Sequence, residues 1–233
     1  MNINAKEKYF LDAGTTWSKI LTVKPLQDGT FDKSYKIIQT SLLKDLDIEF
    51  TLATGHSAGL KNVRKYENEV VALAMGAKRW LDEENIVLDL GSRDIKWVKF
   101  KDKKFSDMDW NTNCASATGA TIEMLLKFYD VSVDELEFSN EKYSITCGIF
   151  GLEKIMDDVA KGMEPKFAIS KFIAGIAYNA WNFTKNPDKL CISGGFCENP
   201  CFIKSLEKYC KVEVLGRFIL ADGLYNAFCD TTP

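Results

Sequence analysis

The feature that most constrains this chain is an internal repeat. Residues 9–23 read YFLDAGTTWSKILTV and residues 86–100 read IVLDLGSRDIKWVKF. Each copy runs apolar–Leu-Asp-x-Gly-(Thr/Ser)-x-x-x-Lys and continues into a second apolar stretch. Asp12, Gly14, Thr15 and Lys19 answer to Asp89, Gly91, Ser92 and Lys96 at one constant offset. The pattern of each copy predicts strand, glycine turn, strand. A hairpin repeated at that separation predicts two similar half-domains facing one another.

The rest of the chain fills in around the two hairpins. EFTLATG predicts a strand ending in a glycine turn. After it a helix is expected with Tyr66, Val70, Leu73, Ala74, Ala77 and Leu81 on one face. Cys114 precedes a second helical pattern (Ile122, Leu125, Leu126, Tyr129), and Cys147 precedes a third (Leu152, Ile155, Met156, Val159). A fourth uses Ile169, Phe172, Ile173, Ile176 and Ala180. KLCISGGFCEN predicts strand, double-glycine turn and helix start, and ILADGLYNAF a short closing helix. Strands alternating with helices imply an α/β architecture. The expected division is 1–85, joined by the C-terminal helix at about 218–233, and 86–217.

The hairpin chemistry points to phosphate. A triphosphate needs backbone N–H groups close to its oxygens, and glycine lets the main chain approach. Thr15, Thr16, Ser18 and Ser92 are candidate hydroxyl donors. Asp12 and Asp89 end their strands where carboxylates can hold magnesium through water. One Asp-x-Gly turn is ordinary hairpin chemistry; two copies matched at Asp, Gly, hydroxyl and Lys are harder to explain that way. Neither copy has P-loop spacing. The turn at Gly194 and Gly195 can let an adenosine or α-phosphate lie against backbone and a helix start. Together the three glycine turns outline a nucleotide cleft between two half-domains.

Composition excludes other classes. The net charge of −3 provides no general attraction to nucleic acid or to an anionic membrane. No apolar run reaches the length of a membrane span, and MNINAKEKYFLDAG has no signal-peptide core, so a cytoplasmic protein is expected. Seven cysteines and a single histidine, His56, leave thiolates or carboxylates as the available metal ligands. Cys114 and Cys147 each begin a helix, where the helix dipole favours thiolate and an anionic cluster. From residue type alone, two small buried residues at helix starts remain the commoner reading. One chain offers two such cysteines, and a symmetric dimer would offer the four that a cubane cluster takes. Cys191, Cys197, Cys201, Cys210 and Cys229 read as core or surface thiols.

As an ordered set, FLDAGTTWSK, TLATGHSAG, AMGAKRW, VLDLGSRDIK, NCASATG, ITCGIF, ISGGFCEN and ADGLYNAF resemble the activator (archerase) family of 2-hydroxyacyl-CoA dehydratases, which includes the ATPase subunits of benzoyl-CoA reductase. The resemblance runs nearly end to end. It implies two ribonuclease-H-like half-domains of the actin-like ATPase fold and a homodimer binding ATP and Mg2+. One [4Fe-4S] cluster per dimer would be held by Cys114 and Cys147 of each subunit. ATP turnover would drive a low-potential electron, taken from a ferredoxin or flavodoxin, to a partner CoA-ester dehydratase or reductase of anaerobic metabolism. Carried over by motif, Asp12, Gly14, Thr15, Thr16, Ser18 and Lys19 form the first phosphate hairpin. Asp89, Gly91, Ser92 and Asp94 form the second, and Gly194 and Gly195 form the adenosine turn; Asp12, Asp89 and Arg93 are the candidate catalytic residues.

The chain departs from the family pattern at three places and is somewhat shorter than typical members. Gly-Gly-Gln-Asp becomes Gly91-Ser92-Arg93-Asp94, replacing an amide by a guanidinium. Cys-Ala-Ala-Gly-Thr-Gly becomes Cys114-Ala-Ser-Ala-Thr-Gly119. Phe-Ala-Glu-Ser-Glu becomes Phe150-Gly-Leu-Glu-Lys154. Two other classes share the hairpins: a small-molecule kinase, which leaves Cys114 and Cys147 without a role, and a nucleotide or cluster sensor without turnover. Protein colour under anaerobic purification separates the first from an electron donor, and phosphate release separates the second.

Overall fold

The computed structural model describes residues 7–78, 84–111, 119–146 and 148–231. The chain divides into two compact units, Met1–Trp80 with Phe218–Pro233, and Leu81–Arg217.

In the first unit, β1 (Lys8–Ala13), β2 (Trp17–Pro25) and β3 (Phe31–Gln39) form an antiparallel meander; β4 (Phe50–Thr54) pairs parallel to β1 and β5 (Val63–Tyr66) parallel to β4. The second unit repeats this plan with β6 (Glu84–Leu90), β7 (Ile95–Lys101) and β8 (Lys104–Asn111) as the meander, β9 (Lys189–Gly194) parallel to β6, and β10 (Lys211–Gly216) parallel to β9. The sheet orders are β3-β2-β1-β4-β5 and β10-β9-β6-β7-β8, the same sequence read from opposite ends. The duplication read from two hairpins therefore extends to whole sheets, each of the ribonuclease-H-like order.

Six helices are described: α1 (Glu69–Ala77), α2 (Gly119–Tyr129), α3 (Gly148–Ala160), α4 (Pro165–Phe183), α5 (Pro200–Glu207) and α6 (Ile219–Thr231). In the second unit α4 is the central buried helix. Ile169, Phe172, Ile173 and Ile176 pack into one core with Leu88, Leu90 and Trp97 of the hairpin and Leu190 and Ile192 of β9. Trp97 fixes the helix end to the sheet, its indole N–H donating to the Phe183 carbonyl at 3.0 Å. The first unit has its own core of Leu11, Ala13, Ile20, Ile38, Leu43, Phe50 and Ala53.

Two helix faces differ from expectation. Tyr66 belongs to β5, in register with Ala53, and is exposed. The helix starts later because the Asn68 side chain accepts the Val70 N–H at 2.8 Å, an N-cap that fixes where α1 begins; Leu81 lies outside the described residues. On α3, Met156 points outward instead of sharing the core face with Ile155. Gly151 lets the Phe172 ring press against the α3 backbone, which turns the contact stripe toward 151 and 155 and leaves 156 outside.

Candidate nucleotide site

The first hairpin places Asp12 directly across from Lys19, and Ala13 across from Ser18. Lys19 Nζ donates to Asp12 Oδ2 at 2.7 Å, and both side chains are largely buried. Behind the turn, the Thr40 hydroxyl donates to the Gly14 carbonyl at 2.8 Å and shares a 2.8 Å hydrogen bond with Ser18, which makes Ser18 the donor of that pair. The Thr40 N–H adds a bond to the Thr16 carbonyl at 2.9 Å. Ser18 is fully buried, so its hydroxyl braces the turn from beneath. Thr15 is exposed and Thr16 half-buried.

The second hairpin repeats the register, Asp89 across from Lys96 and Leu90 across from Ile95. Lys96 is 2% exposed and lies 3.2 Å from Asp89 Oδ2. Here a second carboxylate joins: Asp94 Oδ1 stands 3.4 Å from the same ammonium, and the Trp110 indole N–H donates to Asp94 Oδ2 at 2.7 Å. The Gly91 N–H closes the turn on the Asp94 carbonyl at 3.0 Å. The first two N–H groups of α2, from Gly119 and Ala120, donate to the Gly91 and Ser92 carbonyls at 3.1 Å each. These are orphan donors of a helix start, satisfied by the turn. Ser92 is half-buried and Arg93 exposed.

Each unit also has a glycine at the end of its fourth strand. Gly55 and Gly194 adopt φ of +96° and +86°, the left-handed range that side chains avoid. A Cβ on either would strike a backbone carbonyl, of Ala13 in the first unit and of Leu90 in the second. Ahead of them stand Thr54 and Ser193, in register with Asp12 and Asp89. Their hydroxyls donate to the carbonyls of Glu67 and Gly216 at 2.8 and 3.1 Å. The adenosine-turn motif is thus the second copy of a turn that the first unit also carries. At Gly195 a Cβ would meet nothing within 4 Å.

For magnesium the residues fit. Asp89 is 4% exposed, and its Oδ1 has no hydrogen-bond partner among the described residues. A buried carboxylate oxygen without a donor is costly, and a water on a hard cation can supply one. Cys114 and Cys147 both lie outside the described residues. Of the other five, none forms a disulfide; Cys191, Cys197, Cys201 and Cys210 are buried and Cys229 is exposed. Burial pushes the Cys210 thiol up to about 11 and raises Cys201 as well, which keeps both protonated. Among the described residues no group of three His, Cys, Asp or Glu side chains can hold a metal.

Sequence reasoning missed Thr40, Trp110, Thr54 and Ser193 and gave Lys96 no role of its own. Lys96 could have been found, because it occupies the same cross-strand position as Lys19. Thr40 and Trp110 lie on or just beyond third strands, and nothing local in the sequence ties them to the turns.

Two sheets of one order, each with an Asp–Lys hairpin at its centre, define the actin-like ATPase fold. The activator of 2-hydroxyisocaproyl-CoA dehydratase from Clostridium difficile with bound ADPNP has this fold and matches at a TM-score of 0.79, with 19% identity over 97% of this chain and 95% of that one. By sequence the chain is 23% identical to the (R)-2-hydroxyglutaryl-CoA dehydratase activating ATPase of Acidaminococcus fermentans, over 88% of each chain. It is 22% identical to the activator of lactoyl-CoA dehydratase of Anaerotignum propionicum, over 88% of this chain and 89% of that one. No family model matches. The relatives are thus activators of 2-hydroxyacyl-CoA dehydratases, the family that the ordered motifs resemble. No helix among the described residues is long and apolar enough to cross a membrane.

Proposed function

We propose that this protein is an ATP-dependent activator that passes an electron to a CoA-ester dehydratase or reductase. The observation that carries the reading is the duplicated Asp–Lys hairpin. It lies in a chain similar along most of its length to named activators, one of them an activating ATPase. Thr15, Thr16, Ser92 and the backbone of the two turns bind phosphate oxygens, with Lys19 as the nearby cation. Asp12 and Asp89 hold Mg2+ through its waters, and Asp94 supports the second turn. Gly194 and Gly195 receive the adenosine. Arg93, exposed on the second turn, neutralises the γ-phosphate. A guanidinium carries only donors and cannot accept a hydrogen bond from the attacking water to orient it, so hydrolysis without a partner is slow.

Two chains associate, and Cys114 and Cys147 of each hold one [4Fe-4S] cluster. When bound, the cluster supplies a one-electron carrier, which this chain's side chains alone cannot. A ferredoxin or flavodoxin is the upstream donor. The α2 helix, which comes after the Cys114 segment, starts on the Gly91 and Ser92 carbonyls. That gives the second phosphate turn a direct backbone connection to the helix next to one proposed ligand.

Anaerobic reconstitution with iron and sulfide tests this. About four irons and four sulfides per dimer are expected, with visible absorbance lost in Cys114→Ser and in Cys147→Ser but kept in Cys197→Ser and Cys201→Ser. ATP binding should persist in both ligand variants. A colourless dimer, or a cluster that survives without Cys114, removes the electron-donor reading.

A further inference from the structure

Lys96 is the most deeply buried charged side chain near either turn, and it has more than one acidic neighbour. Its Nζ lies 3.2 Å from Asp89 Oδ2, and 3.4 and 3.5 Å from the two Asp94 oxygens. Trp110 stands on the far side: its indole N–H holds Asp94 Oδ2 at 2.7 Å, and the ring centroid is 5.8 Å from the ammonium. Yet Asp89 Oδ1, in a residue 4% exposed, has no partner among the described residues. That oxygen faces the Gly194 turn, where a Cβ would stand 2.9 Å from it. The lysine is therefore committed to one oxygen of Asp89, and the other is left open toward the backbone that only glycine keeps clear.

The first hairpin lacks this arrangement. Trp17 occupies the place of Asp94, Lys19 meets Asp12 at 2.7 Å, and among the described residues Asp12 shows no buried, unpartnered oxygen.

We infer that Lys96 is a positioning residue for the nucleotide's divalent cation. It pins Asp89 Oδ2, with Asp94 and Trp110 fixing the ammonium from behind, so that Oδ1 alone accepts an O–H from a water on the cation. Mg2+ dehydrates reluctantly and is held through its waters by one or two carboxylates, so the orientation of a single outer acceptor matters. Without the lysine, a buried carboxylate loses its counter-charge and no longer presents one defined oxygen. The inference rests on the reading of these turns as a nucleotide site, and it goes further by assigning the magnesium dependence to one side chain.

The test is ATP affinity by calorimetry, with magnesium and with EDTA, on the full chain. Wild type should bind ATP more tightly with magnesium. Lys96→Met should lose about tenfold of that magnesium-dependent gain while its affinity in EDTA stays within about threefold of wild type. Lys96→Arg, which keeps the charge, should retain most of the gain. Asp94→Asn, which loosens the far side of the lysine, should lose about threefold of it. If Lys96→Met does not fold, the Arg and Asn variants carry the comparison, and an Asp94→Asn response equal to wild type overturns the inference. Equal losses with magnesium and with EDTA in Lys96→Met overturn it too, because the lysine would then be touching phosphate or only supporting the fold. A wild type that binds ATP with a magnesium gain while Lys96→Met keeps that gain defeats the inference alone. A wild type that binds no ATP under either condition defeats the nucleotide reading beneath it.

Discussion

At the place two residues before its lysine, the first hairpin has Trp17 and the second has Asp94; one residue earlier the first has Thr16 and the second Arg93. Register, aspartate, glycine and lysine are the same in both. The first turn is thus rich in neutral hydroxyls and is closed from behind by Thr40, whereas the second is rich in charge and is closed by the first N–H groups of α2. A duplicated hairpin can thus divide its labour. What the strand register fixes is kept in both copies, and what the turn presents is free to diverge. In the proposed site the neutral turn suits phosphate oxygens, and the charged turn suits the cation and the attacking water.

The largest effects on stability are expected at the two left-handed glycines. If the units are true structural copies, Gly55→Ala and Gly194→Ala should each destabilise the protein by on the order of 2–3 kcal/mol in urea unfolding, through the left-handed backbone and the carbonyl behind it. A tolerated Gly55→Ala beside a damaging Gly194→Ala would mean that the turns only look alike. Gly195→Val provides the contrast, since a side chain there meets open space. Its unfolding should stay within about 0.5 kcal/mol of wild type, while ATP affinity falls if adenosine lies over that position.

A smaller effect is expected where the turns differ in charge. Arg93→Gln introduces an amide that can orient water, so basal phosphate release should rise several-fold in a steady-state assay with saturating Mg-ATP. A slower variant would mean that the guanidinium stabilises charge in the transition state.

Much of this was legible in the sequence, for a physical reason. Asp and Lys seven residues apart, separated by a short glycine turn, become cross-strand partners in any hairpin of that length. The face of α4 was legible because nineteen residues of helix hold a steady period. Thr54 and Ser193 escaped at the ends of the fourth strands, and the other missed contacts are made by the third strands and the residues at their ends. Thr40 reaches Ser18 across 22 residues, and Trp110 reaches Asp94 across 16. Such contacts arise from how a meander folds back, and no local pattern announces them. Tyr66 was misread because a strand residue happened to fall on the helical period, and an Asn cap two residues later overruled it.

If both hairpins contribute to binding Mg-ATP, titration calorimetry on Asp12→Asn and Asp89→Asn beside wild type will show a loss in each. Each substitution should weaken Mg-ATP binding by about 2–4 kcal/mol, since each removes an anion from a charge-assisted site, with circular dichroism showing an intact fold. Unchanged affinity in both variants would mean that neither hairpin aspartate serves Mg-ATP.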